Sequence, residues 1–414
     1  MNSWPTLIYL PSDNPFVTMK VYFRTGPRYE SLRHRGLSHI IEHIVSDLFE
    51  KKLSRATRLP AWIRPFSLDT FSASTHFEFC SYEISIDQKN FWKSASSLIS
   101  SFAPRKITNS FLSKQKKIVA SEAHESMQAN GFALAAQKAH FQGSSLERRF
   151  ISNQDYLKDI TANNVFDYWH QTYQARHCTV MISGNLTRNT LLRLKKLLVK
   201  SLPSQLEMSL PDDFSIDLKR NILHLSQDSL PGTSIEASFL RPATKPYDIL
   251  LAQFSMYLLV EYLEYQLREK LGILYSVKTD VISGSDFVYN SFALDSPSSP
   301  LETIQKLHKS LKSFPRIITK DVFSKALQNH NLALSRQAGD HNSFLRMLES
   351  FIPLSSSSIP SDKSEYLKIA RSLKFVDFQI FAKSLSQHLN LSVAGKISKA
   401  SAETLSRQLG LDII

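Results

Sequence analysis

The alternation of apolar and polar residues, and its change to a helical period, divides the chain into strands and helices that follow in nearly the same order twice. In the first half the pattern predicts strands at 6–10 and 16–24, a helix at 37–48, a strand-rich stretch at 71–86, helices at 90–102, 109–128 and 162–173, a strand at 178–183 and a helix ending near 200. In the second half it predicts strands at 221–226 and 234–240, a helix at 248–270, strands at 275–281 and 287–294, and then further helices.

Two similar segments make the repeat explicit. The run Cys178-Thr-Val-Met-Ile-Ser-Gly-Asn-Leu-Thr is similar to Leu389-Asn-Leu-Ser-Val-Ala-Gly-Lys-Ile-Ser, and each is a strand that ends at a glycine, Gly184 or Gly395, before a helix. We therefore predict an α+β fold of two homologous domains, each a mostly antiparallel sheet with helices packed against it. The predicted domains are 1–201 and 217–414, joined by a proline-containing linker at 202–216.

Composition narrows the class of protein. A chain of 414 residues with 42% hydrophobic and 21% charged residues is typical of a globular protein, and no run is apolar for long enough to span a membrane. The formal charge of +13 is scattered in short runs, which favours a solvated surface over a nucleic-acid interface. Two cysteines, Cys80 and Cys178, lie in strand-like runs, and no secretory signal begins the chain, so we expect free thiols and a cytoplasmic location.

The first predicted helix carries a metal-binding pattern, Gly36-Leu-Ser-His39-Ile-Ile-Glu42-His43. Residues four apart share a helix face, so His39 and His43 can bind one metal ion with two imidazoles. Glu42 lies beside them, where a carboxylate can accept a proton from water. Two solvated histidines are the alternative, but the apolar neighbours of the pair indicate a buried helix. A tetrahedral zinc site needs a third protein ligand.

Together with Gly26-Pro-Arg-Tyr-Glu30, this segment resembles the pitrilysin and insulysin superfamily of inverted zincins, in particular the two-domain branch that includes the mitochondrial processing peptidase. The resemblance implies that Glu122, in Ile118-Val-Ala-Ser-Glu122, is the third zinc ligand, with Glu125 as the alternative. One departure is Gln115, where the family usually has an outer-shell glutamate.

The resemblance extends to Ser72-Ala-Ser-Thr75-His-Phe-Glu78-Phe-Cys-Ser-Tyr82. In the family this is an edge strand that pairs with the substrate backbone, which makes Ser72 and Ala73 expected substrate-binding residues. Ser72 replaces the asparagine that is usual there.

In its second half the family has an arginine followed seven residues later by a tyrosine. Arg268 and Tyr275 match them here, in Gln266-Leu-Arg268-Glu-Lys-Leu-Gly272-Ile-Leu-Tyr275. The resemblance implies that Tyr275 stabilises the oxyanion and that Arg268 helps to bind the substrate backbone. No second HxxEH pattern follows at 248–270, so the second domain is expected to be a degenerate copy without its own metal.

These inferences combine into one hypothesis, a zinc metalloendopeptidase that cuts peptides or unfolded segments with Glu42 as general base. In the family four such domains close a chamber, so we expect a homodimer in which Arg268 and Tyr275 act in trans. A heterodimer with a sister subunit, and a non-catalytic scaffold or partner subunit of the same family, are the alternatives. Neither nucleic acid nor a membrane is an expected partner, and the sequence does not indicate the substrate.

Overall fold

The computed structural model describes residues 5–31, 35–57, 70–149, 155–203, 222–225, 232–354, 358–385, 387 and 389–413. In these ranges each half of the sequence contributes one mixed sheet with helices, which confirms the predicted α+β fold. Most of the predicted linker, from residue 204 to 216, lies outside the described residues, as do residues 1–4 of the N-terminus.

The first sheet is formed by five described strands in the order β1-β5-β2-β4-β3. β1 and β5 are parallel, and the other pairs are antiparallel. β3 is therefore an edge strand, which pairs on one side with β4. The bounds are β1 Thr6–Pro11, β2 Phe16–Phe23, β3 Thr70–Thr75, β4 Cys80–Asp87 and β5 Cys178–Gly184.

The second sheet repeats this order and adds one strand. Its described strands run β11-β6-β10-β7-β9-β8, so β6, β10, β7, β9 and β8 correspond to β1, β5, β2, β4 and β3, with one parallel pair at the same place. This equivalence confirms the internal repeat. The bounds are β6 Ile222–Leu225, β7 Thr233–Pro242, β8 Ser276–Ser283, β9 Phe287–Ser296, β10 Asn390–Ala394 and β11 Asp412–Ile413.

The helices follow the predicted periodicity, with three differences. α1 continues past Leu48 to Thr57, α3 continues past Gln128 to Phe141 with a non-helical residue at Asn130, and the helix that begins near Asp248 changes to a π-helical segment, Glu264–Lys270. The bounds are α1 Leu37–Thr57, α2 Phe91–Ser101, α3 Asn109–Phe141, α4 Asp155–Lys158, α5 Ala162–Thr172, α6 Arg188–Ser201, α7 Pro246–Leu263, α8 Pro300–Ile317, α9 Lys320–Gln337, α10 His341–Glu349, α11 Lys363–Arg371, α12 Phe375–Ser384 and α13 Lys399–Leu409.

Apolar side chains of α1, α2 and α5 pack with the first sheet into one core. Every residue of β5 is buried, as expected for a strand between two others of the same sheet, whereas β4 alternates buried and half-buried positions. In α1, Ile40, Ile41 and Ile44 are fully buried, so the helix is held rigidly against the sheet.

The chain divides into two compact units that do not follow the sequence halves throughout. The first unit contains the described parts of Met1–Ser126, Ser144–Ser215 and Gly339–Ser357, and the second contains those of Met127–Gly143, Ile216–Ala338 and Ser358–Ile414. Each unit thus includes a short helical segment from the other half: α10 in the first unit and the end of α3 in the second.

Polar contacts attach both exchanged segments. In the first unit, Glu349 of α10 accepts hydrogen bonds from Lys20 at 2.6 Å and from Tyr22 at 2.7 Å. In the second unit, the ring of His140 contacts the Ser238 hydroxyl at 2.6 Å and the Ser392 hydroxyl at 3.1 Å. The segments are therefore integral parts of the units to which they pack.

Both cysteines are buried and free, as predicted. Among the described helices, none combines the length and the apolar character needed to cross a membrane.

Candidate functional site

Residues preceding α1 fix the start of the helix. The Glu30 carboxylate is fully buried and accepts hydrogen bonds from the backbone N–H groups of Gly36 and Ser38, both at 2.6 Å. Burial raises the pKa of Glu30, and these two hydrogen bonds act in the opposite direction. A carboxylate that satisfies unpaired N–H groups at a helix N-terminus stabilises that end and its orientation. Glu30 therefore holds the turn that carries His39.

Two histidines of α1 converge with a carboxylate of α3. The Nε2 atoms of His39 and His43 are 3.2 Å apart, and Oε2 of Glu122 lies 3.3 Å from the first and 3.1 Å from the second. Glu125, the alternative ligand, instead accepts a hydrogen bond from the Ser121 hydroxyl at 3.2 Å. The structure thus brings Glu122 to the histidines.

The three atoms fit a tetrahedral metal ion. Zinc ligands at about 2.0–2.1 Å in a tetrahedron are separated from one another by about 3.3–3.4 Å, close to the three distances between His39, His43 and Glu122. Two imidazoles and one carboxylate are also a donor set used by catalytic zinc sites, which leave a fourth position for water or substrate. His39, Glu42 and His43 form the group of potential metal ligands found among the described residues.

The charges of the three groups are coupled. Burial alone would lower the pKa of His39, but its hydrogen bond with Glu122 and the charges of nearby carboxylates outweigh burial and raise it. The pKa of Glu122 is lowered, first by the hydrogen bond with His39, although partial burial acts in the opposite direction. A metal cation between these groups would favour the deprotonated carboxylate and the neutral imidazoles, which are the forms that bind metal.

Glu42 lies beside the three atoms and is oriented by β3. Its side chain is 9% exposed, its Oε2 is 3.8 Å from Nε2 of His39, and the same oxygen accepts a hydrogen bond from the Thr75 hydroxyl at 3.2 Å. Burial raises the pKa of Glu42, and the nearby histidines offset this only in part. A carboxylate with a raised pKa is a stronger proton acceptor, which suits a general base.

Ser72 and Ala73 lie on the edge strand β3, where they pair in register with Glu83 and Tyr82 of β4. Ser72 is exposed and Ala73 packs partly against the core. Because Thr75, at the end of the same strand, contacts Glu42, the strand leads directly to the three converging atoms.

Sequence reasoning assigned no role to several residues that build this site. Arg28 and Glu78 form a fully buried ion pair, which ties the turn after β2 to the loop between β3 and β4. Gly26 has φ 148°, and a Cβ at this position would lie 2.6 Å from the carbonyl oxygen of Phe77. The run Gly26-Pro-Arg-Tyr-Glu30 could have indicated Gly26 and Arg28 in the sequence, but the residues that they contact are known only from the fold.

Gln115 is buried in α3, two turns before Glu122. It is 1% exposed, and neither its amide oxygen nor its amide nitrogen has a hydrogen-bond partner among the described residues. The residue that departs from the family pattern is therefore an unsatisfied buried amide.

Arg268 and Tyr275 belong to the second unit. Arg268 is an exposed residue of the π-helical segment, and Gly272 ends this segment with φ 62° and an N–H that donates to the Arg268 carbonyl. Tyr275, predicted to open a strand, lies one residue before β8, and its side chain is 66% exposed. Both side chains are available to a ligand or a partner.

Comparisons with known proteins agree with this architecture. A family model described as Insulinase (Peptidase family M16) matches residues 7–153, and one described as Peptidase M16 inactive domain matches residues 159–329. A search of curated proteins gives no match.

Solved structures with the same fold include three bacterial proteins. A protease from Helicobacter pylori is 16% identical with a TM-score of 0.78, and the match covers 94% of this chain and 97% of that one. A putative M16-like peptidase from Alicyclobacillus acidocaldarius is 13% identical with a TM-score of 0.76 and the same two coverages. The first half of the periplasmic protease PqqL from Escherichia coli is 14% identical with a TM-score of 0.74, over 99% of this chain and 96% of that one. The chain therefore belongs to peptidase family M16, within the two-domain branch of the pitrilysin and insulysin superfamily.

Proposed function

We propose that this protein is a zinc-dependent metalloendopeptidase that cuts peptides or unfolded segments. The observation that carries the proposal is the convergence of His39, His43 and Glu122 at 3.1 to 3.3 Å beside the buried carboxylate of Glu42. These three residues would hold Zn²⁺, which supplies the Lewis acidity that activates water at neutral pH and polarises a scissile carbonyl.

Glu42 performs the proton transfers. Its raised pKa favours uptake of a proton from the attacking water, and the same carboxyl group then donates that proton to the leaving amine. Thr75 donates to Oε2, which holds the carboxylate in one orientation and leaves its second oxygen for the water.

The edge strand β3 positions the substrate. A peptide added to its free edge would form main-chain hydrogen bonds and extend the sheet, with Ser72 and Ala73 on the contacted strand. Recognition of this kind uses the backbone, so a broad range of extended peptides is the expected substrate class.

The active assembly is proposed to be a homodimer in which Arg268 and Tyr275 act on the site of the partner. The chain matches 49% of full-length PqqL while 99% of its own length is covered, so it corresponds in length to half of that protease. The Tyr275 hydroxyl would stabilise the oxyanion, and Arg268 would bind the substrate backbone. A heterodimer with a sister subunit is the alternative.

Metal content tests the ligand assignment. Glu122→Gln should reduce zinc from about one ion per chain to a small fraction, because an amide is a much weaker zinc ligand than a carboxylate. Glu125→Gln is the matched control: it makes the same change one helical turn away and should keep both zinc and activity. Equal zinc loss in the two variants, measured by elemental analysis after dialysis, would contradict the assignment.

Glu42→Gln tests the base. The variant should keep its zinc and lose peptide hydrolysis by a factor of about 10²–10⁴. Substantial turnover of a quenched fluorescent peptide by the zinc-loaded variant would exclude this mechanism.

Mixing inactive variants tests the assembly. Chains with Glu42→Gln and chains with Tyr275→Phe should each be impaired, and a mixture should regain part of the activity if Tyr275 acts on the other chain. Activity that stays at the level of the separate variants after subunit exchange would favour sites complete within one chain.

The second candidate function is that of a non-catalytic scaffold or partner subunit. It is favoured by Gln115, which replaces the usual outer-shell glutamate and whose amide has no hydrogen-bond partner among the described residues. A scaffold would contain zinc far below one ion per chain, so the same elemental analysis separates the two functions. A cytoplasmic location stays a prediction, since the structural neighbour PqqL is described as periplasmic.

A further inference from the structure

An open groove lies in the second unit between α9 and the junction of α11 with α12. Its volume is about 570 Å³, within the range of peptide and small-ligand sites. The groove shares no residue with the metal-ligand group of the first unit.

Cations line the groove without matching anions. Lys320, Arg371 and Lys374 are exposed lining residues, and the lining contains no carboxylate. None of the three forms an ion pair with a described residue, and the neighbouring acid of α9, Asp321, pairs with Lys325 at 2.9 Å. Three unpaired positive charges beside one cavity favour an anionic ligand.

The floor of the groove is apolar. Phe323 is only 3% exposed, because its ring packs edge to face with that of Phe375 with centroids 5.6 Å apart. The apolar surface open to a ligand is therefore the half-buried Phe375 and, at the rim, Val376, which is 66% exposed. A ligand that carries only charge, such as inorganic phosphate, would leave this surface uncovered, so the ligand should also have apolar side chains.

Two polar features distinguish a peptide from other amphipathic anions. Lys374 is the N-cap residue of α12 and gives no side-chain cap, so the first turn of that helix presents backbone N–H groups where a carboxylate can accept them. On the α9 side, the lining residue Gln328 is exposed, and its amide can accept a hydrogen bond from a backbone N–H and donate one to a backbone carbonyl. A peptide backbone supplies both partners, whereas phosphate esters and fatty acids have no N–H donor.

We propose that this groove binds an acidic peptide segment in which apolar residues alternate with glutamate or aspartate. The apolar side chains contact Phe375 and Val376, and the carboxylates pair with the cations and the α12 N-terminus. The cations of the groove would then account for part of the formal net charge of +13.

The test measures binding of a fluorescein-labelled peptide, Glu-Leu-Glu-Phe-Glu-Leu-Glu, by anisotropy. The full chain carries Glu42→Gln so that the peptide is not cleaved, which makes the result independent of the proposed peptidase activity. Arg371→Glu with Lys374→Glu should weaken binding by about tenfold or more, because two attractions become repulsions. The control is Lys368→Glu with Lys399→Glu, which changes the net charge equally at exposed positions outside the lining and should alter binding by less than about twofold.

A second variant separates loss of binding from loss of folding. Val376→Ser removes exposed apolar surface without a change of charge and should weaken binding about threefold to fivefold. The proposal is overturned if the peptide with lysine in place of glutamate binds as well, if the control pair weakens binding as much as the groove pair, or if vesicles with anionic lipid bind more tightly than the acidic peptide.

Discussion

Replacement of Gln115 by methionine should stabilise the zinc-free protein. The Gln115 side chain is 1% exposed, and both ends of its amide lack hydrogen-bond partners among the described residues. Burial of such a group without a partner costs about 1–3 kcal/mol, and methionine fills nearly the same volume without a polar atom to desolvate. We therefore expect the free energy of unfolding to rise by about 1–3 kcal/mol, or the melting temperature by about 2–10 °C.

The assay is thermal and urea unfolding of protein dialysed against a chelator, followed by circular dichroism. Gln171→Met is the matched control, because it makes the same substitution at an exposed position of α5 in the same unit and should change stability by less than about 0.5 kcal/mol. A lower melting temperature for Gln115→Met than for the wild type would refute the reasoning, because it would mean that the amide makes a net favourable interaction.

Zinc affinity gives an independent check on the same variant. Since Gln115 makes no hydrogen bond to His39, His43 or Glu122, the dissociation constant for zinc should stay within about threefold of the wild-type value, measured by competition with a chromogenic chelator. A loss of about 10–100-fold, as expected for a residue that supports the ligands, would show that the amide acts on the site.

Three further predictions concern buried carboxylates. Glu30→Ala should destabilise the protein by about 2–4 kcal/mol in urea unfolding, because it leaves two backbone N–H groups at the start of α1 without an acceptor. Glu78→Gln should cost about 3–5 kcal/mol by the same measurement, because Arg28 stays buried without its counter-charge; a change below about 1 kcal/mol would contradict this. Burial and the nearby Asp280 raise the pKa of Glu236 to about 7, so the folded state keeps a proton that the unfolded chain releases, and stability falls as pH rises from about 4.5 to 7. Glu236→Gln should remove up to about 3 kcal/mol of this decline. The measurement compares the free energies of unfolding of the variant and the wild type at about pH 4.5 and about pH 7, and a difference between them that does not change with pH would contradict the assignment.

Local pattern was sufficient for most elements of this fold. The apolar-rich run at 178–183 predicted a strand, and β5 is buried along its whole length. The alternation after residue 80 predicted a half-buried strand, as β4 is. Pattern failed where an element depends on distant contacts: the end of α3 packs in the second unit, and no periodicity within 129–141 indicates that destination.

The site shows the same division. The spacing of His39, Glu42 and His43 places them together on one helix, so three of its four groups could be identified locally. The position of Glu122 depended on a family resemblance, because a lone glutamate in a helix is usually solvated. Glu30 and Thr75 belong to the motifs that carry the resemblance, but their contacts with α1 were not predicted, since a cap from outside the helix and a contact from a neighbouring strand leave no periodic signal.

The exchange of α10 and the end of α3 has a consequence for how such a chain can be divided. A fragment that ends before residue 204 would lack Glu349, so that Tyr22 would lose the acceptor of its hydroxyl and Lys20 would keep only Glu83 as a carboxylate partner. The remainder of the chain would lack His140. We therefore expect neither sequence half to fold as an autonomous module. A chain with a single copy of the repeat would need the equivalent helical segment from a second copy to make these contacts, as in a domain-swapped dimer. Covalent fusion of two copies makes such an exchange intramolecular and thus independent of concentration.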